Sequence, residues 1–289
     1  MPLPLVWLDG RLMPLEEARI SPLDRGFLFG DGAYEVLPVY GSRAYRFDAH
    51  AERLDRSLAE IRMAPPLDRA GWLAVLGRLV HANGGGDQLL YVQVTRGAEP
   101  ERFHVPQPGT RPTVFACAQK LPVVPPAAIE GGVAAITAAD IRWSRCDIKS
   151  TSLLGNVLLR WLAADAGAAE TLLLREGRLT EGSSSSAHVV TGGRIVTPPQ
   201  TNAILPGTTR GVILELAARE GIATGRRPVT ETELRAADEI LIASAGGGVR
   251  AVSKLDGRPV GGGSPGPVFR RIYAAFKATQ REFSTELPA

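Results

Sequence analysis

The stretch Asp140–Leu162, DIRWSRCDIKSTSLLGNVLLRWL, constrains the fold of this chain more than any other. An alternating, strand-like run over 132–143 leads into a short polar turn, and apolar residues then recur at the spacing of an amphipathic helix. These apolar residues are Leu153, Leu154, Val157, Leu158, Trp161 and Leu162. The serines and threonine at 150–152 are candidate N-caps for the helix. The stretch therefore predicts a strand, a polar turn and a helix, in that order.

Lys149 stands immediately before these candidate caps. Because the N-terminus of a helix carries partial positive charge, a cation is disfavoured there and the neutral amine is relatively favoured. A neutral lysine amine is the form that attacks a carbonyl carbon to make a Schiff base. The alternative is a solvated loop lysine, which is the usual state of this residue in proteins.

The composition is that of an ordinary globular protein. The chain has 289 residues, of which 44% are hydrophobic and 22% charged, enough for one large domain or two medium ones. The formal net charge is only +3 although the pI is 9.1, and the arginines are scattered without a block of like charge. We therefore expect a mixed, solvated surface and no nucleic-acid partner.

The cysteines and the N-terminal residues bear on metal sites and on location. Cys117 and Cys146 are the only cysteines, with no CxxC pair and no Cys/His cluster, so we expect neither a metal site nor a disulfide. The first residues lack the features of a signal peptide, and no apolar run approaches the roughly 20 residues of a membrane span. We expect a cytoplasmic protein with no membrane partner.

The proline-bearing stretch QKLPVVPPAA, over 119–128, is the best candidate for a domain boundary, because its prolines favour an extended and fairly stiff connector. We predict a small α+β domain over 1–118, a linker over 119–128 and a larger domain over 129–289. Periodicity predicts helices over 47–63, 72–83, 153–162, from 208, over 231–236 and over 269–283, and strands over 88–96, 113–118, 170–175, 178–180, 187–190, 195–197 and 239–243.

Several side chains of the first predicted domain have a structural and a functional interpretation. Tyr34 starts a predicted strand and is either an ordinary half-buried tyrosine or part of a site. Arg53 lies off the apolar stripe of its helix, so it is either solvated or able to reach a phosphate as a rigid fork. Arg102 and His104 are two residues apart in a polar loop, so an extended chain projects them to one side. There they can hold a carboxylate, or they belong to an ordinary surface loop.

Three polar segments of the second predicted domain also have a functional interpretation. Glu181 precedes four serines and belongs either to a polar hairpin loop or to a site, as a carboxylate aimed at a ring nitrogen with hydroxyls orienting it. Thr208 and Thr209 open a helix, where amides and hydroxyls form an anion site or simply cap the helix. The glycines after Ser244 allow close backbone approach to a ligand.

In this order the segments resemble the fold-type IV aminotransferases that depend on pyridoxal 5'-phosphate (PLP), and most closely the D-amino-acid aminotransferases. The resemblance covers nearly the whole chain. It is carried by DRGFLFGDGAYEV (24–36), HAERLDRS (50–57), YVQVTRG (91–97), DIRWSRCDIKSTSLLGNVL (140–158), TEGSSS (180–185) and ILPGTTR (204–210). It implies an α+β enzyme with a smaller N-terminal α+β domain and a larger, β-barrel-like C-terminal domain with flanking helices.

The resemblance also implies a role for each matched residue. Lys149 forms the Schiff base with PLP and later shuttles the α-proton, Glu181 keeps the pyridinium nitrogen protonated, and Leu205 packs on the cofactor ring. The phosphate ligands and other cofactor contacts are Arg53, Ser185, Gly207, Thr208, Thr209, Ser244 and Ala245. The substrate-binding residues are Tyr34, Val36, Tyr91, Arg102 and His104, of which the last two come from the partner subunit of a homodimer.

Two departures from the family pattern are visible. Glu101 separates Pro100 from the pair Arg102 and His104, whereas the family's pair directly follows the proline. The segment 245–248, AGGG, lacks the hydroxyls that are common in the bacterial D-enzymes.

We hypothesise transamination between a D-amino acid, such as D-alanine or D-glutamate, and a 2-oxo acid. Val36 in YEVLPVY and the Arg-x-His pair favour it, since branched-chain L-aminotransferases tend to carry a YEG-type motif there. A branched-chain L-aminotransferase and an aminodeoxychorismate lyase of the same fold are alternatives. A non-catalytic basic binding protein, suggested only by the pI, is the alternative from a different class.

Overall fold

The computed structural model describes residues 2–289, so residue 1 of the first predicted domain lies outside the described part. The strands in chain order are β1 Leu5–Leu8, β2 Arg11–Pro14, β3 Gly32–Tyr40, β4 Arg43–Tyr45, β5 Gln88–Thr95, β6 Thr113–Lys120, β7 Val133–Ala139, β8 Glu170–Arg175, β9 Arg178–Gly182, β10 Ser186–Thr191, β11 Arg194–Thr197, β12 Thr224–Arg226, β13 Glu239–Ser244, β14 Gly248–Leu255, β15 Arg258–Pro259 and β16 Ser284–Glu286. The helices are α1 Arg25–Phe29, α2 Phe47–Glu60, α3 Arg69–Ala82, α4 Pro126–Glu130, α5 Leu154–Asp165, α6 Thr208–Arg219, α7 Glu231–Arg235 and α8 Pro267–Ala278, with a 3₁₀ turn at Leu15–Glu17.

The chain divides into two compact units, each built from separate segments. Unit 1 comprises residues 2–122, Ile148–Ser152 and Gln280–Ala289, and unit 2 comprises Val123–Asp147 and Leu153–Thr279. Unit 1 takes up a distant C-terminal segment because β16 pairs with β4. The division into independent domains at 1–118, 119–128 and 129–289 stays a prediction.

Unit 1 is built on a seven-stranded antiparallel sheet in the order β16-β4-β3-β5-β6-β1-β2. Strand β3 alternates between its two faces. Glu35 and Leu37 are buried, while Tyr34 and Val36 are half-buried. Residues of α2 and α3 join the buried core that β3, β5 and β6 help to form. One face of the sheet is therefore covered by apolar packing and the other stays accessible along β3.

Unit 2 contains a nine-stranded mixed sheet in the order β12-β11-β10-β13-β14-β7-β8-β9, with β15 paired to β14. The pairs β14–β7, β7–β8 and β11–β12 are parallel. Helix α6 packs on β10 and β13, and α8 packs on β13 and β14. The start of α6 and the end of β13 therefore both belong to unit 2.

Helix α5 departs from the usual amphipathic pattern, because most of its apolar side chains are exposed. Leu159 and Ala163 are the buried ones among its described residues, whereas Leu154 is 72% and Trp161 63% exposed. The other exposed apolar residues of the helix are Val157, Leu158 and Leu162. The periodicity correctly predicted a helix, but not where its apolar face lies. Within residues 2–289, no helix is long and apolar enough to cross a membrane.

Candidate active site

Lys149 is held in unit 1 by main-chain contacts. Its carbonyl oxygen accepts the N–H of Tyr34 at 3.0 Å, and its own N–H donates to the hydroxyl of Ser57 at 3.2 Å. The next residue, Ser150, forms a β-bridge with Ala33. The Lys149 side chain is half-buried, and its amine lies 4.0 Å from the centroid of the Tyr34 ring. Attraction between the amine and the ring face helps to hold the amine in place.

The predicted serine and threonine caps of the helix after this lysine are wrong. Helix α5 begins at Leu154, and no described side chain caps it. The hydroxyls of Thr151 and Ser152 instead donate to the carbonyl oxygen of Gly30, at 2.9 and 3.2 Å. These long-range bonds commit the hydroxyls to the start of β3. Lys149 thus stands well before the first turn of α5, so the argument from the helix dipole does not apply to it.

Tyr34, Val36 and Tyr91 lie together on the half-buried face of the unit 1 sheet. Val36 is the register partner of Tyr91, and the rings of Tyr34 and Tyr91 stack with their centroids 5.6 Å apart. The Tyr91 hydroxyl donates to Gln93 at 2.6 Å. Burial, followed by the neighbouring Tyr34 and Cys117, raises the pKa of Tyr91 above its usual range, so this hydroxyl stays neutral. Of these three predicted substrate residues, Tyr34 contacts the predicted Schiff-base lysine, and Val36 and Tyr91 lie on the same face of the sheet as Tyr34.

Arg53 is buried rather than solvated, and it faces a carboxylate that the sequence analysis missed. Its Nε and Nη2 donate to the two carboxylate oxygens of Glu35 at 2.7 and 2.9 Å, and His50 Nδ1 lies 2.7 Å from the same group. Burial raises the pKa of Glu35, but Arg53 and His50 outweigh burial and hold that pKa well below its usual range.

Burial also lowers the pKa of His50, so a neutral imidazole donates its Nδ1–H to Glu35. A signal for this cluster was present in the sequence. His50 and Arg53 are three residues apart on one helix, a spacing that brings side chains together. Glu35 stands at an inward position of the alternating strand β3, where an acidic residue needs a partner.

Arg102 and His104 are exposed in the loop between β5 and β6, and both lie against Phe29. The Arg102 guanidinium carbon is 4.7 Å from the centroid of the Phe29 ring, and the centroid of the His104 ring is 5.5 Å from it. The two side chains therefore project to the same side of the loop, as their spacing predicted. Their role as carboxylate ligands stays a prediction.

Glu181 is buried in unit 2 and is held by one arginine and one backbone amide. Arg142 Nη1 donates to Glu181 Oε1 at 2.6 Å, and the N–H of Leu205 lies 3.2 Å from each carboxylate oxygen. Arg142 Nε also donates to Asp140 at 2.9 Å, so two carboxylates share the guanidinium. The structure thus joins Glu181 to Leu205, as two predicted cofactor residues, and adds Arg142, which the sequence analysis did not single out.

Burial raises the pKa of Glu181 to about 7. Arg142 and the Leu205 N–H oppose this rise, and Asp140 adds to it as a nearby like charge. A further positive group beside the carboxylate would favour its ionised form. Glu181 is therefore suited to face a cation that the protein itself does not supply.

The serines after Glu181 do not orient that carboxylate, so this expectation is wrong. The hydroxyls of Ser184 and Ser185 donate to Glu170 Oε2 at 3.1 and 2.7 Å. The hydroxyl and the N–H of Ser183 donate to Glu170 Oε1. The reason is topological, because β9 pairs with β8 and brings the serine turn next to Glu170 on that strand. The hydroxyl proton of Ser185 is thus committed to Glu170.

Helix α6 begins in the predicted segment. Gly207 occupies the N-cap position, and Thr208 and Thr209 are the first two helical residues, so the threonines do not cap the helix. A Cβ atom on Gly207 would lie 2.4 Å from the Ser186 hydroxyl and 3.1 Å from Arg210 Cβ, so a larger residue would force the Ser186 hydroxyl to move. The N–H groups of a first helical turn lack intrahelical partners and attract anions. This helix end can therefore bind a phosphate.

Ser244 and Ala245, the remaining predicted cofactor residues, lie at the end of β13 and just beyond it, and both are half-buried. The Ser244 hydroxyl accepts the N–H of Gly247 at 3.1 Å, which stabilises the turn into β14. As for metals, no group of three or more His, Cys, Asp or Glu side chains in residues 2–289 is arranged to hold an ion.

Comparison with known sequences identifies the family. The model of the amino-transferase class IV family matches residues 32–255. The chain is 40% identical over 273 residues to a D-alanine aminotransferase of Bacillus licheniformis, covering 94% of this chain and 95% of that protein. It is 36% identical over 271 residues to a D-alanine aminotransferase of Staphylococcus haemolyticus, covering 94% of this chain and 96% of that one.

Solved structures agree with this assignment. The branched-chain amino acid aminotransferase of Escherichia coli superposes with a TM-score of 0.93 at 22% identity, covering 99% of this chain and 100% of that chain. The branched-chain amino acid aminotransferase of T.th., complexed with N-(5'-phosphopyridoxyl)-L-glutamate, superposes with a TM-score of 0.91 at 25% identity, covering 99% of both chains. The predicted fold class, the α+β fold of fold-type IV, is confirmed.

PLP requires three kinds of protein group: an amine for its aldehyde, an anion for its ring nitrogen and donors for its phosphate. The half-buried amine of Lys149, the buried carboxylate of Glu181 and the start of α6 at Gly207 are groups of these kinds. The residues present therefore fit the cofactor. The chain belongs to the class IV aminotransferase family, and it is a PLP-dependent aminotransferase.

Proposed function

We propose that this enzyme transfers the amino group of a D-amino acid, such as D-alanine or D-glutamate, to a 2-oxo acid. The observation that carries the proposal is the Lys149 amine on the ring of Tyr34, beside Val36 and Tyr91. The 40% identity to the B. licheniformis D-alanine aminotransferase, over 94% of this chain, supports a D-amino acid as the donor.

In this proposal the Lys149 amine would hold the cofactor through its aldehyde, and the same amine would accept and return the proton of the substrate Cα. Bound PLP supplies an electron sink that acidifies this Cα–H. Glu181 would hold the ring nitrogen, and positive charge there would favour the ionised form of this carboxyl, whose pKa burial raises to about 7 in the protein alone. Leu205, whose N–H orients Glu181, packs on the ring.

The phosphate is held by the start of α6 in the same proposal. The N–H groups and hydroxyls of Thr208 and Thr209 provide neutral donors, and Gly207 allows the close approach. Arg53 contributes positive charge, with Glu35 fixing the plane of its guanidinium. The remaining proposed cofactor contacts are Ser185, Ser244 and Ala245.

We propose that the α-carboxylate of the substrate is bound by Tyr34 together with Arg102 and His104, the last two from the partner subunit of a homodimer. The apolar face of α5 supports the dimer, since exposed apolar area in water is unfavourable at roughly 25 cal/mol per Å². The loop with Arg102 and His104 also carries exposed apolar residues, Phe103 at 62% and Val105 at 66%. A second copy of the chain would cover both surfaces.

The central experiment compares D-alanine with L-leucine as amino donor to 2-oxoglutarate, using purified protein with added PLP. We expect turnover of D-alanine. Turnover of L-leucine alone would end the proposal and favour a branched-chain L-aminotransferase. Release of pyruvate from aminodeoxychorismate, without transamination, would favour the lyase.

Lys149→Ala tests the attachment point. The variant should lose transamination, and borohydride reduction should fix no cofactor to the chain. The matched control is Lys120→Ala, because Lys120 is an exposed lysine at the end of β6 in the same unit. Near-normal turnover by the Lys149 variant would remove this residue from its proposed role.

Two wider expectations are also proposals. We propose a cytoplasmic location, since Cys117 and Cys146 are both free thiols, as suits a reducing compartment. We propose that 1–118 and 129–289 are separate domains joined by 119–128. Limited proteolysis should then cut first within the linker.

A further inference from the structure

We propose that Arg25 and Glu99 are positioning residues that shape the loop between β5 and β6, so that Arg102 and His104 are presented to the substrate carboxylate. This inference rests on the proposed function. Neither Arg25 nor Glu99 was among the candidate site residues, and both are buried at 5% exposure or less. A buried ion pair inside an otherwise exposed loop is unusual and needs a structural reason.

Arg25 reaches from α1 into the loop and binds its main chain. Its Nη1 donates to the carbonyl oxygen of Phe103 at 2.6 Å, and its Nη2 donates to that of His104 at 2.8 Å. Its Nε donates to Asp31 at 2.9 Å, which fixes the guanidinium relative to the start of β3. Because the guanidinium is planar and its donors are fixed, these bonds set the position of two consecutive carbonyl groups.

Glu99 closes the loop from the inside. Its Oε2 accepts Arg25 Nη1 at 3.0 Å, and its Oε1 accepts the N–H of Gln107 at 2.8 Å and the hydroxyl of Thr110 at 2.7 Å. The Thr110 hydroxyl is the largest of the contacts that lower the pKa of Glu99, so the carboxylate is ionised at neutral pH. Through one side chain, Glu99 thus connects the part of the loop that leaves β5 to the part that returns to β6.

Arg25 and Glu99 together form what we call the clamp. Phe29 connects this clamp to the predicted carboxylate ligands, Arg102 and His104. The guanidinium carbons of Arg25 and Arg102 lie 4.9 and 4.7 Å from the centroid of the Phe29 ring. The His104 ring lies against the same ring at 5.5 Å. The clamp therefore fixes the backbone from one side, while Phe29 supports the two side chains.

The clamp also accounts for the extra residue in the loop. Glu101 displaces the Arg102 and His104 pair by one position from the family's spacing after Pro100. Arg25 binds the chain after the insertion, at the carbonyls of Phe103 and His104. The pair is therefore located by its hydrogen bonds to Arg25, and not by its distance along the chain from the proline.

A clamp of this kind should affect the recognition of the carboxylate specifically. The test compares D-alanine with D-alaninamide, which lacks the carboxylate, in the wild-type holoenzyme and in Glu99→Gln. The side-chain amide has one acceptor oxygen where the carboxylate has two, so it cannot accept from Arg25 on one side and from Gln107 and Thr110 on the other, and the ion pair is lost. We expect kcat/KM for D-alanine to fall about tenfold to a hundredfold, mainly through KM, and kcat/KM for D-alaninamide to change by less than about twofold.

The matched control is Glu286→Gln, which removes the carboxylate of an exposed ion pair with Arg43 in the same unit. This variant should leave kcat/KM unchanged for both D-alanine and D-alaninamide. Thr110→Val removes one hydroxyl donor from Glu99 without changing any charge, and serves if Glu99→Gln folds poorly. It should give the same selectivity in a weaker form. An equal loss for both substrates would overturn the inference, because it would show a general structural effect.

A second readout does not depend on activity. Hydrogen exchange of the Gln107 amide, whose N–H is bonded to Glu99, should be slow in the wild-type apo-protein and fast in Glu99→Ala, which removes both acceptor oxygens. Unchanged exchange would show that the clamp does not hold the loop. If the wild-type enzyme fails to use D-alanine at all, the proposed function fails, whereas the exchange result still decides whether the clamp exists.

Discussion

Glu35 in unit 1 and Glu181 in unit 2 are both buried glutamates with an arginine partner, yet their pKa values move in opposite directions. Burial raises both pKa values, but Arg53 and His50 reverse the effect at Glu35 and hold its pKa well below the usual range. At Glu181 burial prevails, and the pKa rises to about 7. The presence of an arginine therefore does not determine whether a buried carboxylate is ionised.

The difference lies in how each arginine is shared. Arg53 directs two donors at the two oxygens of Glu35, whereas Arg142 directs one donor at Glu181 and others at Asp140. Asp140 also acts on Glu181 as a nearby like charge. Glu35 is thus a completed structural ion pair, and Glu181 is a carboxylate with capacity for one more positive partner. This contrast supports the proposal that Glu181 meets the cofactor while Glu35 holds its surroundings together.

Glu35→Gln should produce the largest effect, because it removes the carboxylate that faces a buried guanidinium. Removing one partner of a buried ion pair costs about 3 to 5 kcal/mol. We expect the free energy of unfolding, measured in urea, to fall by that amount. A loss below about 1 kcal/mol would show that Arg53 is not held by this pair, and it would contradict the contrast drawn between Glu35 and Glu181.

Glu181→Gln should change the pH dependence of stability in the apo-protein. The folded-state pKa of about 7 lies above the ordinary 4.5, so the folded state holds a proton that the unfolded state releases between these values. The stabilisation is complete below pH 4.5 and is lost as pH rises to about 7, by about 3 kcal/mol. The variant should lack this decline when unfolding is measured at pH 4.5 and 7. An unchanged profile would mean that Glu181 is ionised throughout.

His188, in the same unit as Glu181, has a smaller effect on the pH dependence of stability, and this effect has the opposite sign. It is fully buried in β10, and neither ring nitrogen has a hydrogen-bond partner among the described residues. Burial, followed by Arg210, lowers the pKa of His188 from 6.5 to about 3. Below pH 6.5 the unfolded chain therefore binds a proton that the folded protein does not, and stability falls as pH falls.

His188→Leu should remove this loss, which amounts to about 2 to 3 kcal/mol between pH 6.5 and 4.5. Urea unfolding at the two pH values measures it, with wild type as the reference. If the variant loses as much stability as wild type over this interval, another group is responsible for the acid sensitivity.

Asp55→Asn should have the smallest effect and sharpens the comparison from the other side. Asp55 and Arg69 form an ion pair at 3.1 Å, and Asp55 lies on the same helix as Arg53, but the pair is partly solvated. Such pairs contribute about 0 to 1 kcal/mol. The free energy of unfolding should change by no more than this. A larger loss would show that the partly solvated pair of Asp55 with Arg69 is not weaker than the buried pair of Glu35 with Arg53.

Much of the fold could be predicted from the sequence. The strands over 170–175 and 239–243, the helix that became Phe47–Glu60 and the helix that begins at Thr208 follow from periodicity. Errors arose where polar side chains had a choice of partners. Thr151 and Ser152 bond to Gly30 instead of capping α5, and the serines after Glu181 bond to Glu170. Local propensity cannot rank a nearby partner against a distant one.

Exposure was equally hard to predict. Arg53 lies off the apolar stripe of its helix and was a candidate for solvation, yet it is buried against Glu35. Leu154 and Trp161 are apolar and yet exposed. Periodicity identifies the two faces of a helix, but what covers each face depends on segments from elsewhere in the chain or from another subunit.

The amino-acid sequence by itself determined the order of the elements and the family, and it singled out the lysine that we propose holds the cofactor, because periodicity and motif order can be read along one dimension. Only the tertiary structure decided which carboxylate meets which arginine. Glu35 and Arg53 are 18 residues apart, and Arg142 and Glu181 are 39 apart. Ionisation depends on burial and on the number of donors around each carboxylate, and these quantities exist only once the chain has folded.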